Sequence, residues 1–400
     1  MFAYDTGDTR NSYIGQPTTN IGNNFRDFTG TGYSPDGEWT SNPTSFTKTY
    51  YPNLITPIGP GGTLIEESGT AGYHHLSRYG GGGESGAHSL SCYIYPLVSG
   101  ITDFCIGMLG DSGNNIQFNL DTKAITYGGG ISNRNAFIKD VPGYPGWLRV
   151  GANIEGRGGG WVGCFGYSSY TSYTGTAGAK KAYITGIQYE YITQPTPFVA
   201  GTRSVTQGLL PLAGNSTLDL SNVSFDSNAQ MTFDGTNDFI YTNNSTQLNP
   251  GSSPFTVETV FNCSNVSIGE GILYNKEDLY EAAIHSGNFQ YAWQPHWNWD
   301  GDTSFPVTNN TWYHAVVTYD GTYQRMYKNG VEVYNRPQTG NIGTNSNVFS
   351  IGARGVNTNG GGGYSFFPGQ IPITKIYNRA LSAGEVRQNY LHYKTRFNLS

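Results

Sequence analysis

The sequence predicts an all-β protein: two β-sandwich (jelly-roll) domains in tandem, with one short C-terminal helix. Three observations predict it. Thr311 to Tyr334 reads as three antiparallel strands in succession. Short β-prone runs, separated by turn residues, recur along the rest of the chain. The chain holds one convincing helix start, Ser382-Ala383-Gly384-Glu385, where Ser382 can cap free N–H groups while Glu385 reaches back.

The hairpin region sets the pattern. Trp312 to Tyr319 is rich in β-branched and aromatic residues, which suit a pleated, half-buried surface. Asp320-Gly321 supplies a turn, Tyr323 to Lys328 a return strand, and Asn329-Gly330 the strongest short hairpin signal. Val331 to Asn335 makes a third strand. Three strands cannot stand alone, so a second sheet must cover their apolar face.

Four hundred residues exceed one ordinary core and point to two domains. Charged residues make up 12%, about half the usual share, while 30 tyrosines and abundant β-branched residues argue against disorder. The net charge of −6 has no basic run behind it, which argues against nucleic-acid binding. The opening MFAYDTGDTR lacks the features of a signal peptide, and no 18-residue apolar run predicts membrane insertion. Cys92, Cys105, Cys164 and Cys263 form no metal or disulfide pattern and read as reduced, buried thiols.

The expected domains are a proline-rich arm over 1–62, a first jelly roll over 63–200 and a second over 201–400. Prolines at 17, 35, 43, 52, 57 and 60 forbid long helices and central strands in the arm. Strands are expected at Ser89–Tyr95, Asp103–Leu109, Ala136–Val141, Trp147–Ile154, Trp161–Tyr167 and Ala182–Tyr191. In the second domain they fall at Met231–Tyr241, Phe255–Cys263, Ile272–Tyr274, Ala282–His285, Phe289–Trp293 and Gly369–Tyr377, beside the hairpins.

Two resemblances follow from these runs. NSYIGQPTTNI, GWLRV, WVGCFGY and AYITGIQYEYITQPTPFV resemble tailed-phage structural proteins carrying carbohydrate-binding-module-like jelly rolls, over roughly residues 10–200. Gln188, Glu190, Thr196, Pro197 and Phe198 stand where that pattern usually ends. FDGTNDFI, FTVETVF, WYHAVVTYDG, YKNGVEV, FSIGA and PGQIPITKIYNRALSAGEV resemble the laminin-G/concanavalin A-like jelly roll, over about 205–395. That second resemblance implies two packed antiparallel sheets, with the hairpins as central strands and the helix as a plug at one end.

Glycosidases need two carboxylates about 5–9.5 Å apart. In a strand, Glu277 and Asp278 would face opposite ways, and Glu277 and Glu281 would lie about 13 Å apart. Solvated loop acids account for them better, and no catalytic residue is expected. Trp293, His296, Trp297, Trp299, Asp300 and Asp302 combine flat apolar rings with hydrogen-bonding groups, which is how sugars are held. The competing account has Trp293 and one other indole filling the core. Asp300 and Asp302 offer too few oxygens for calcium, and His74, His75 and His88 lack a completing ligand set, so no metal or cofactor is expected. The glycine runs lack a phosphate-loop context.

The resemblances imply a non-enzymatic structural protein on a tailed-phage virion surface, as a capsid decoration or head fibre or a tail fibre component. Its outer module would display a glycan-binding, lectin-like surface for host or environmental adhesion. Implied partners are other capsid or tail proteins, further copies of the chain in a trimer, and glycans. Assembly in the host cytoplasm and release by lysis would reconcile an extracellular-looking surface with reduced cysteines, as would non-classical secretion or a removed leader. A secreted or cell-surface lectin is the competing class, and a polysaccharide-degrading enzyme a third.

Overall fold

The computed structural model describes residues 1–21, 25–29, 40–41, 46–72, 75–77, 85–108, 115–127, 134–157, 160–163, 173–214, 216–226, 230–294 and 304–400. The chain divides into two compact units, Thr18–Arg203 and a second built from Met1–Pro17 together with Ser204–Ser400. Both are β-sandwiches, in agreement with the fold class read from the sequence. No helix among the described residues is long and apolar enough to cross a membrane.

In the Thr18–Arg203 unit, one described sheet runs Phe137–Asp140, Leu148–Arg157, Ser85–Pro96, Lys181–Glu190, Gly62–Glu67 and Phe46–Tyr51. The other runs Ile125–Tyr127, Asn115–Phe118, Phe104–Met108, Gly160–Gly163, His75–Ser77 and Thr40–Ser41. Alternation sends Ile94, Val150 and Ile184 inward against Phe104, Ile106 and Phe118. Their chain neighbours Tyr93, Arg149 and Tyr183 face outward.

The motif that ends this module is a clasp. The Thr196 hydroxyl donates to Glu190 Oε1 at 2.6 Å, and the Thr196 N–H donates to Glu190 Oε2 at 3.1 Å. The Gln188 side-chain amide donates to the Thr196 carbonyl at 3.1 Å and accepts from the Val199 N–H at 2.6 Å. Arg203 donates to the Pro197 carbonyl at 2.6 Å. Glu190, Gln188 and Thr196 are all buried, so each polar group depends on these partners. Thr196→Val keeps the shape but strips a hydroxyl donor from a buried carboxylate. It should cost about 1.5–3 kcal/mol, read as a lowered urea midpoint of the intact chain.

In the other unit, the described eight-stranded sheet runs Ser224–Phe225, Met231–Asp234, Pro368–Tyr377, Phe255–Cys263, Trp312–Tyr319, Tyr323–Lys328 and Val331–Pro337, with Phe2–Asp5 also paired to Pro368–Tyr377. The facing sheet runs Asp219–Asn222, Phe239–Thr242, Phe349–Ile351, Gly271–Lys276, Tyr280–His285, Asn288–Trp293 and Ser304–Pro306. Between them lies an aromatic-rich core that includes Phe2, Tyr4, Phe255, Phe261, Tyr280, Tyr291 and Phe349.

Three expectations are corrected. The arm expected over 1–62 is not one element: Phe2–Asp5 is a buried core strand, and Phe46–Tyr51 is an edge strand of the other unit. The hairpins form as read, with Asn329 at φ 48° and Gly330 at φ 76°, but Val331–Pro337 is an edge strand rather than a central one. Its largely exposed side chains, with Glu332, Arg336 and Pro337 among them, are edge features that discourage further pairing. The helix Ala383–Phe397 carries the expected capping box but does not plug an end. It lies on the outer face of the eight-stranded sheet, where Tyr390, Tyr393 and Phe397 pack with Val260 and Ile373.

Cys92, Cys105 and Cys263 are free and buried, and Cys164 lies outside the described residues. Burial pushes the thiols of all three described cysteines up, which makes them poor nucleophiles.

Candidate functional site

Of the residues read as sugar-binding, the structure describes only Trp293. It is 1% exposed and packs edge-on against Phe255, with ring centroids 5.5 Å apart, and against Tyr291 at 5.9 Å. Trp293 is therefore core, because Phe289, Tyr291 and Trp293 alternate along one strand and all face inward. His296, Trp297, Trp299, Asp300 and Asp302 lie outside the described residues, as does the Asp300-Gly301-Asp302 triplet.

Of the three carboxylates expected to be solvated loop acids, Glu281 departs from that expectation. Glu277 and Asp278 occupy the tight turn between Gly271–Lys276 and Tyr280–His285, with Asp278 at φ 64°. Glu281 is not solvated: it is buried and accepts from Arg354 Nε at 2.9 Å and from the Asn275 amide at 2.8 Å. Burial pushes its carboxyl up against the opposing pull of Arg354. Glu270 lies 3.4 Å from the same guanidinium. One cation thus serves both acids.

A second acid is equally occupied. Glu258 Oε1 lies 2.7 Å from His314 Nε2, and Tyr377 and Asn389 donate to Oε2 at 2.6 and 3.1 Å. Both Glu258 and His314 have fully buried side chains. Closure beneath the helix makes this a structural network. Among the described residues, no group of three or more His, Cys, Asp or Glu could hold a metal ion. His88 is buried and stacks flat on Tyr189 at 5.2 Å.

The arrangement best suited to a ligand lies on the first unit. Strand register brings Tyr183 opposite Tyr95, and both project from the outer face of their sheet. Ring centroids run Tyr51 to Tyr183 at 5.6 Å, Tyr183 to Tyr95 at 6.5 Å, and Tyr95 to Trp147 at 5.6 Å. Tyr51 is 40% exposed, Tyr183 and Tyr95 are partly exposed, and the buried Trp147 closes the row. Gly146 stands directly under Tyr95: a Cβ there would come within 2.5 Å of the ring. That contact and its φ of +85° call for glycine.

Alongside the row, the same face is already covered. Phe198 of the clasp packs on Phe25 at 5.2 Å and near Tyr93 at 6.5 Å, while Arg149 sits over Tyr93 and Phe137 at 5.6 and 5.5 Å. The clasp thereby limits the accessible part of this face to the Tyr51–Tyr183–Tyr95 side. No single residue of the row stood out in the sequence. The available signal was the i, i+2 spacing of Tyr93 and Tyr95 in SLSCYIY.

Comparison with known proteins bears on the other unit. Residues 234–387 match the laminin-G-type family model described as the concanavalin A-like lectin/glucanases superfamily. The unit containing them has that lectin-like sandwich fold. Among solved structures, the binding domain of botulinum neurotoxin serotype G is similar at 17% identity and a TM-score of 0.37, covering 47% of this chain and 49% of that one. The binding domain of Paraclostridial Mosquitocidal Protein 1 is similar at 19% identity and a TM-score of 0.35, covering 46% and 49%. A heptameric SAP-like pentraxin from Limulus polyphemus is similar at 17% identity and a TM-score of 0.32, covering 39% and 78%. The chain spans about half the length of the two toxin binding domains. No curated protein matches it.

Proposed function

We propose that this protein is a non-enzymatic glycan-binding surface protein, whose described contact surface is the aromatic row Tyr51, Tyr183 and Tyr95. The row carries the proposal, because adjacent partly exposed rings on a rigid sheet offer flat apolar faces to the CH faces of a saccharide chain. The pairing of Glu281 with Arg354 and of Glu258 with His314 supports binding rather than hydrolysis. The segment with His296, Trp297, Trp299, Asp300 and Asp302, which follows Trp293 in the sequence, is a second proposed contact.

We place the protein on the surface of a tailed-phage virion, as a capsid decoration, head fibre or tail fibre component, self-associated and held by other virion proteins. The resemblance of residues 10–200 supports this placement. The clasp gives its Gln188, Glu190 and Thr196 signature a structural purpose. Mass spectrometry of purified virions tests it: absence from the particle favours a secreted or cell-surface lectin.

A glycan array tests the binding surface. Tyr95→Ala and Tyr183→Ala should each weaken binding by about 1 kcal/mol, roughly five-fold in Kd. Binding that survives the double variant but is lost in Trp297→Ala/Trp299→Ala assigns recognition to the second contact instead. Reducing-sugar release from a polysaccharide would overturn the non-enzymatic assignment.

A further inference from the structure

The larger unit also contains a cavity of about 270 Å³ beside the last turn of the helix. Its wall includes Trp312, Gln370, Gln230, Thr6, Arg396 and Phe397. The sheet brings the first two together, because Trp312 and Gln370 are the cross-strand partners of Asn262 on its two sides. The indole is braced by Phe397, with ring centroids 4.8 Å apart.

Charge decides what could enter. Arg396 donates to Asp5 at 2.6 Å and lies over the Phe397 ring at 4.4 Å. Its guanidinium also rests against Gly7, where a Cβ would come within 2.3 Å of Cζ. The cation is locked and neutralised, so the cavity is not built for a phosphate or carboxylate. It presents an indole, two amides and a hydroxyl over the aliphatic surface of Met231, Ile371 and Pro372. Its volume falls just short of the ~300 Å³ at which pockets for drug-sized ligands begin, which leaves room for about one ring.

We infer that this cavity binds a single neutral pyranose, the end of a glycan rather than its middle, with Trp312 against the ring and Gln370 on its hydroxyls. The inference shares the glycan assignment proposed above but rests on other residues in another unit.

Saturation-transfer NMR of the full chain, with methyl glycosides of glucose, galactose, mannose and N-acetylglucosamine as probes, tests it. At least one glycoside should receive saturation. That signal should fall at least ten-fold in both Gln370→Ala and Trp312→Leu, and persist in Tyr95→Ala/Tyr183→Ala. Gln370 is only partly buried, so its variant should hold the wild-type melting curve even where Trp312→Leu does not. Transfer to none of the four glycosides overturns the inference. So does a signal unchanged in Gln370→Ala, or one lost only in the tyrosine double variant. In the last case the aromatic row stands and the cavity does not; array binding with no monosaccharide signal separates them in the same way.

Discussion

His314→Ala removes the imidazole from a buried carboxylate and should cost about 3–5 kcal/mol. Glu258 is fully buried, and its carboxylate is held by His314, Tyr377 and Asn389. Burial by itself would raise its pKa, but those partners, with the charge of Lys375 nearby, bring it below the ordinary value. A carboxyl depressed in this way binds protons less readily when folded than when unfolded. Its contribution to stability is complete above the unfolded value of about 4.3 and is lost as pH falls through the folded one. Urea midpoints measured from neutral pH downward should therefore drop more steeply in the wild type than in Glu258→Gln. Equal slopes would show that the network does not set the acid limit. Replacing both groups, as Glu258→Met/His314→Leu, should recover part of the single-variant loss, because no uncompensated charge is left buried.

Trp293→Ala should destabilise the same unit by about 3–5 kcal/mol, the usual cost of deleting a large buried aromatic. The indole contacts Phe255 on the opposite sheet, so its loss opens a cavity between the sheets rather than at the surface. Trp297→Ala and Trp299→Ala serve as the comparison. If all three variants lose equal stability, the segment after Trp293 is packed as core and is not a ligand contact. If Trp293→Ala leaves the urea midpoint unchanged, the indole does not hold the sheets together.

What the sequence made legible was local. The turns at Asp320-Gly321 and Asn329-Gly330, and the cap at Ser382, are each written in a few adjacent residues. They form as read, with the Asp320 carboxylate accepting from the Thr322 and Tyr323 N–H groups at 2.8 and 2.6 Å. What stayed hidden depends on pairing between distant strands. Val331–Pro337 becomes an edge only because, among the described residues, no strand pairs beyond it. Phe2–Asp5 becomes core only because Ile373–Ile376 lies opposite it. The Tyr51–Tyr183–Tyr95 row needs the register of several strands before its members meet. Trp293 is legible as core from its alternation with Phe289 and Tyr291, the account that competes with grouping it among the neighbouring indoles.

The strand Phe2–Asp5 carries a consequence for how the chain is made. Phe2 pairs with Ile376, and the whole Thr18–Arg203 unit is threaded between the first strand and the rest of its sandwich. At ~5–20 residues per second, the ribosome would deliver the partner of Phe2 about 20–75 s after Phe2 itself. During that interval the inserted unit, whose described strands pair with one another within residues 18–203, can fold first. The apolar strand Phe2-Ala3-Tyr4 must meanwhile wait without its sheet. Sealing that sandwich is thus a late event of biosynthesis, and the exposed opening strand is where a chaperone would have most to protect.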